Sequence, residues 1–120
     1  MADAVGFIGL GVMGRPMALN LRKHDVTLAV CNRSPGAERV LAEAGAGVAT
    51  TPAAVASSCQ IIFTMLPDAP DVAAVLEGER GLLETLQPGT MVVDSSTIAP
   101  EAARRFATLV AARGGHYLDA

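Results

Sequence analysis

The stretch FIGLGVMGRPMALNL (Phe7–Leu21) decides the fold. It carries Gly9, Gly11 and Gly14 in a G-x-G-x-x-G pattern, and its neighbours give that pattern meaning. Before it, AVGFIGL (Ala4–Leu10) is an almost unbroken apolar run, as expected of a strand covered on both faces. After it, Met13, Met17 and Leu21 recur every fourth residue, with Ala18 beside them, on one face of a helix. Arg15, Arg22 and Lys23 are left for solvent, and Pro16 falls in the first turn, where a missing N–H is tolerated. A strand, a glycine turn and a helix in succession form the phosphate-binding turn of a dinucleotide site. Gly9 allows the tight turn around Leu10. Gly11 has no side chain to block a pyrophosphate, and Gly14 lets helix and strand pack closely. The amides near Val12 and Met13 then point at the phosphates from the helix N-terminus.

The same alternation continues along the chain. VTLAVCN (Val26–Asn32) reads as a second strand, followed by Ser34-Pro35 as a cap and first helical residue. That helix is expected to reach Ala44, with Gly45 ending it. A short strand at GVAT, a Thr51-Pro52 cap and a brief helix come next, then a strand over Gln60–Leu66. Pro67, Pro70 and two aspartates interrupt the chain before a short helix over Asp71–Leu76. A fifth strand ends near Asp94, a helix starts at Pro100 and runs to about Ala112 with Phe106, Leu109 and Val110 inward, and HYLDA begins a sixth strand. Asp94 and Asp119 end strands five and six and read as buried acids bracing loops. Asp25 is expected to take a left-handed conformation at the end of the first helix. Strand–helix alternation with apolar strands implies parallel pairing and right-handed crossovers. The fold class is therefore α/β: a doubly wound, mostly parallel sheet of Rossmann type in the order 3-2-1-4-5-6.

The end of the second strand speaks to cofactor choice. An NAD site has Asp or Glu there for the ribose 2′-hydroxyl. This chain has Asn32, Arg33 and Ser34. Asn32 does not repel a 2′-phosphate, Arg33 can pair with it and lie over the adenine, and Ser34 can donate a hydrogen bond to it. NADP(H) is accordingly favoured over NAD(H).

Composition narrows the class. The 120 residues include 51% apolar and 18% charged side chains, a globular balance that suits one domain. The net charge of −3 argues against a nucleic-acid partner. No apolar run reaches the ~18 residues of a membrane span, and the N-terminus resembles neither a secretory signal nor an Arg-rich transit peptide. Cys31 and Cys59 form no C-x-x-C and have no histidine at metal-ligand spacing, so no metal is expected. They read as buried free thiols of a cytoplasmic protein. His24 and His116 read as exposed.

Four ordered segments resemble the β-hydroxyacid dehydrogenase family, of the 3-hydroxyisobutyrate dehydrogenase, tartronate semialdehyde reductase and glyoxylate/succinic semialdehyde reductase types. Phe7–Leu21 holds every fixed position of G-L-G-x-M-G-x-x-M-A-x-N-L, and TMLPD (Thr64–Asp68), VVDSSTIAP (Val92–Pro100) and YLDA follow in order. The resemblance implies an oxidoreductase acting between an NADP-type cofactor and a small hydroxy acid or semialdehyde. It implies that Met65, Leu66 and Pro67 line the cofactor site and that Thr97 meets the nicotinamide ribose region. Ser96 would hydrogen-bond the substrate's carboxylate or hydroxyl. Where this chain has Asp71, the family often has Asn as a nicotinamide-side contact.

The resemblance also implies a proton-donating lysine on a helix beyond residue 120, in a partner-forming helical domain. Residues 1–120 are then a dinucleotide-binding domain cut near strand six, inactive alone, from a protein expected to be a homo-oligomer. Lys23, the single lysine, lies about 12–15 Å along its helix from the phosphate-binding end and cannot replace that donor. Two alternatives differ in chemistry. One is an imine reductase, against which the D-S-S-T segment argues. The other is a non-catalytic NADPH-binding module. An S-adenosylmethionine site fits the third glycine and Asn32-Arg33-Ser34 less well.

Overall fold

A computed structural model describes residues 4–24, 26–34 and 36–120. Six strands form one parallel sheet in the order β3-β2-β1-β4-β5-β6. They are β1 (Ala4–Ile8), β2 (Thr27–Cys31), β3 (Gly47–Val48), β4 (Ile61–Thr64), β5 (Met91–Asp94) and β6 (His116–Asp119). Five helices connect them: α1 (Gly14–Arg22), α2 (Glu38–Glu43), α3 (Pro52–Ser58), α4 (Ala69–Glu77) and α5 (Pro100–Ala111). The expected sheet order is observed, with β1 central: Phe7 is in register with Val30 on one side and Phe63 on the other.

Alternate residues of the central strands β1, β2 and β4 feed two cores, as a sheet covered on both faces requires. Val5 and Phe7 of β1 pack with Leu28, Val30, Ala18 and Leu41. Ile8 packs on the other face with Val55, Ile62, Val72, Leu76 and Phe106. Gly6 leaves room on that second face, because a Cβ there would collide with Val55 of α3. Phe106 and Val110 of α5 are buried and Leu109 packs partly against them, as the sequence predicts.

Several boundaries differ from expectation. The Ser34 cap is not formed: α2 begins at Glu38, four residues later, with Ala37 at its N-cap and no side-chain cap bond. Instead the Ser34 carbonyl accepts a hydrogen bond from Asn32 Nδ2 (2.9 Å), which holds it in the β2–α2 turn. Pro35 lies outside the described residues, as does Asp25 with its expected left-handed turn. Gly45 does end α2, at φ 99°, a conformation that suits glycine. The Thr51 cap is present, its hydroxyl accepting from the Ala54 amide (3.2 Å). Helix α4 starts earlier than predicted because Asp68 caps it, accepting from the Ala69 amide (2.8 Å), and Pro70 falls in its first turn. A 3₁₀ turn at Leu82–Glu84, with Leu82 fully buried, had no clear sequence signal.

Some side chains depart as well. Met13 is not on the inner face of α1; it sits at the N-cap, 62% exposed. The Arg22 guanidinium is not free in solvent but folds against Gly45. Asp119 is exposed, whereas Asp94 is completely buried. Both cysteines are free and buried, and burial pushes both thiols above their usual range, with the charge of Glu38 adding to the shift at Cys31. His24 and His116 are exposed. No described helix is long and apolar enough to cross a membrane, and no described group of three His, Cys, Asp or Glu side chains could hold a metal ion.

Candidate dinucleotide site

A crevice of about 920 Å³ opens where the chain leaves the carboxyl ends of β1, β2 and β4. In an open parallel sheet this is the edge that receives ligands, at the point where the strand order reverses. Gly9, Leu10, Gly11, Val12, Met13 and Gly14 all line it, followed by Asn32, Arg33 and Ser34, and opposite them Met65, Leu66, Pro67 and Asp71. The structure thus brings together thirteen of the fourteen residues expected at the cofactor; Thr97 is exposed but not on the lining.

The three glycines do three different things. Gly9 has φ 100°, and a Cβ there would run into the Met65 carbonyl. A Cβ on Gly14 would strike the Gly9 carbonyl, so this glycine sets how closely α1 approaches β1. At Gly11 a Cβ would meet nothing within 4 Å, so its absence serves no contact inside the protein. What it leaves is open crevice at the foot of α1. That helix has no side-chain cap; Pro16 lacks an N–H and the Arg15 amide donates to the Gly11 carbonyl (3.0 Å), which leaves the amides of Val12, Met13 and Gly14 for an anion. The cradle therefore fits the pyrophosphate of a dinucleotide.

Asn32 joins the glycine loop to the next turn. Its Oδ1 accepts from the Leu10 amide (2.9 Å) while its Nδ2 donates to the Ser34 carbonyl. Both ends of the side chain are therefore used for loop geometry. Arg33 projects into the crevice, its side chain 84% exposed, and its NH1 lies 3.4 Å from Asp71 Oδ1 on α4. Asp71 thus faces the side of the crevice where β2 ends.

The β4 side is held from behind. Ser96 is 3% exposed and does not line the crevice. Its Oγ accepts from the Leu66 amide (2.8 Å), and its own amide donates to Asp94 Oδ1 (3.0 Å). Residues that sequence reasoning left out also line the crevice, among them Arg15, Thr50, Thr51 and Glu79. Thr50 and Thr51 could have been found from their position just past β3, at the same edge of the sheet.

The comparisons agree with this geometry. The sequence profile of the NAD binding domain of 6-phosphogluconate dehydrogenase matches residues 4–120. The mitochondrial 3-hydroxyisobutyrate dehydrogenase of Mus musculus is 41% identical over 97% of this chain and 35% of its own length. The 2-hydroxy-3-oxopropionate reductase of Escherichia coli K12 is 44% identical over 97% of this chain and 39% of its own. The solved structure of Psf3 in complex with NADP+ and 2-OPP superposes with a TM-score of 0.88 at 35% identity, covering 94% of this chain and 40% of that one. The chain therefore spans less than half the length of the relatives it matches. With its parallel sheet, glycine cradle and crevice, it belongs to the family of NAD-binding domains that form the N-terminal part of the β-hydroxyacid dehydrogenases.

Proposed function

We propose that the whole protein is an NADP(H)-dependent oxidoreductase that reduces a small semialdehyde or keto acid to the hydroxy acid, and that this chain supplies its cofactor-binding half. The observation that carries the cofactor assignment is the end of β2, where the strand supplies Arg33 and neither Asp nor Glu to the crevice beside the glycine loop. A dianionic 2′-phosphate gains charge-assisted hydrogen bonds from such a guanidinium. The Arg33–Asp71 pair does not prevent this. It is long and solvent-exposed at Arg33, and such pairs are worth about 1 kcal/mol or less.

When bound, the nicotinamide supplies a hydride to the substrate carbonyl carbon. The residues of this chain bind and orient. The Val12, Met13 and Gly14 amides at the foot of α1 and the Gly11 gap receive the pyrophosphate, Arg33 holds the adenosine phosphate, and Met65, Leu66 and Pro67 form the opposite wall. The resemblance adds Ser96 and Thr97 as contacts to substrate and nicotinamide ribose, and a lysine beyond Ala120 as the proton donor. In support of the Ser96 role, its hydroxyl hydrogen is not used by either of the bonds described above.

Two measurements test the proposal. NADPH oxidation by the full-length protein is expected with at least one of tartronate semialdehyde, glyoxylate, succinic semialdehyde and methylmalonate semialdehyde. NADPH binding without turnover of any of them would defeat it. Arg33→Ala is expected to weaken NADPH binding by ~1.5–3 kcal/mol and leave NADH nearly unchanged. Equal losses for both cofactors would refute the role of Arg33.

A further inference from the structure

We propose that Asp94 is a positioning residue for the dinucleotide crevice: through Ser96 it fixes the backbone of the Leu66 wall. The Asp94 carboxylate is completely buried. Among the described residues the ion pairs are Arg33–Asp71 and Arg105–Glu77, so Asp94 is met by hydrogen bonds and not by a cation. Oδ1 accepts from Thr64 Oγ1 (2.9 Å) and from the Ser96 amide (3.0 Å). Oδ2 accepts from the Tyr117 hydroxyl (2.7 Å). Thr64 ends β4, Asp94 ends β5 and Tyr117 lies on β6, so one carboxylate ties the ends of β4 and β5 to the neighbouring strand β6.

A buried carboxylate is an expensive way to fill space. What it provides here is direction. By taking the Ser96 amide it sets the serine backbone, and the serine Oγ then stands where it accepts from the Leu66 amide (2.8 Å). Leu66 and Met65 line the crevice, the Met65 amide donates to the Ile8 carbonyl (3.0 Å), and the Met65 carbonyl abuts Gly9. The line of contacts therefore runs from β6 through Asp94 and Ser96 to the wall that faces the glycine loop. Neither Asp94 nor Ser96 needs to touch the cofactor for this to act.

The inference rests on the crevice being a dinucleotide site, and the test separates the two. Binding of the tighter of NADPH and NADH, and of ADP as an adenosine-side fragment, is measured by calorimetry on the 120-residue chain. Asp94→Ala and Ser96→Ala are expected to weaken the dinucleotide by roughly tenfold, the worth of one buried hydrogen bond, with ADP within about twofold of wild type. Asp94→Asn is expected to rescue. Its Oδ1 can still accept from Thr64 and Ser96, and its Nδ2 can donate to the Tyr117 oxygen.

Tyr117 gives a second readout, being the single tyrosine in a chain without tryptophan. Burial, then the hydrogen bond and charge of Asp94, then the charge of Asp119, push its hydroxyl far above the usual tyrosine range. Beside these acids it meets the Phe106 ring of α5. Asp94→Asn removes one of the charges, so tyrosinate absorbance should appear at lower pH than in wild type. If Asp94→Ala unfolds, ADP binding falls too, and Ser96→Ala, a single-atom deletion, then decides. Dinucleotide binding by Ser96→Ala equal to wild type, or equal losses of dinucleotide and ADP in it, overturns the proposal. Failure of the wild-type protein to bind either dinucleotide overturns the crevice reading, and the proposal with it.

Discussion

On the β1–β2 side, the crevice is walled by backbone from which side chains have been taken away. Gly9, Gly11 and Gly14 remove a Cβ from three points along six residues, and Val12 between them is 92% exposed. On the β4–β5–β6 side the wall is held by added polar atoms, the Thr64 and Tyr117 hydroxyls and the Ser96 amide gathered around the buried Asp94 carboxylate. One wall works by vacancy and the other by occupancy. The first should therefore fail when atoms are added and the second when atoms are removed. The kind of failure should differ too. Added atoms at Gly11 meet only ligand, whereas removed atoms behind Leu66 leave buried groups without partners.

The largest effect is expected at Gly11. Gly11→Val places its side chain in open crevice, so urea denaturation should show a midpoint close to wild type. Dinucleotide affinity should fall roughly a hundredfold, or ~2.8 kcal/mol. Gly14→Ala is the matching control. Its Cβ strikes the Gly9 carbonyl, so it should lower the urea midpoint as well as binding. If Gly11→Val destabilised the fold as much as Gly14→Ala does, the division between ligand space and packing space at this loop would be wrong.

Thr64→Val tests the other wall by deletion. It is close to isosteric, keeps the β-branch suited to a strand, and removes the hydroxyl that donates to Asp94 Oδ1. Leaving a buried charged acceptor one donor short should cost about 1–3 kcal/mol of stability, read from the urea midpoint at constant slope. Dinucleotide affinity should change little, because the Ser96 amide and the Tyr117 hydroxyl still hold the carboxylate. A neutral Thr64→Val would mean that the network does not bear on the fold.

The two walls were not equally legible in the sequence. Vacancy is local: three glycines at fixed spacing after an apolar run name their own function, and the sheet order followed from parallel strands and right-handed crossovers. Occupancy is assembled from distant positions. Thr64 and Asp94 are 30 residues apart and Asp94 and Tyr117 are 23 apart, and nothing in either spacing marks a contact. Asp94 could be read as a buried brace because it ends an apolar strand. Asp119 earned the same reading by the same position, yet it ends the edge strand β6 and faces solvent. Ser34 shows a different limit. Serine before proline is a sound helix cap, but the Asn32 side chain claims its carbonyl first and the helix starts later.

Asn32 stands where the comparison is sharpest, since it fills space on the side otherwise built from vacancy. Asn32→Asp changes one NH₂ to an oxygen. The acceptor for the Leu10 amide survives, so the glycine loop keeps its tether, but the donor to the Ser34 carbonyl is lost and a negative charge appears beside Arg33. A unit charge about 4 Å from another is worth ~1 kcal/mol in a water-like surrounding. NADPH, with its 2′-phosphate, should thus lose about fivefold in affinity relative to NADH. Because the crevice is open to solvent, salt should screen the new repulsion, and the discrimination should shrink as ionic strength rises from about 0.01 M to 0.15 M. A loss shared equally by both cofactors and insensitive to salt would have another meaning. Asn32 would then act on binding only as a strut between two loops, and the charge at the end of β2 would have no part in choosing the cofactor.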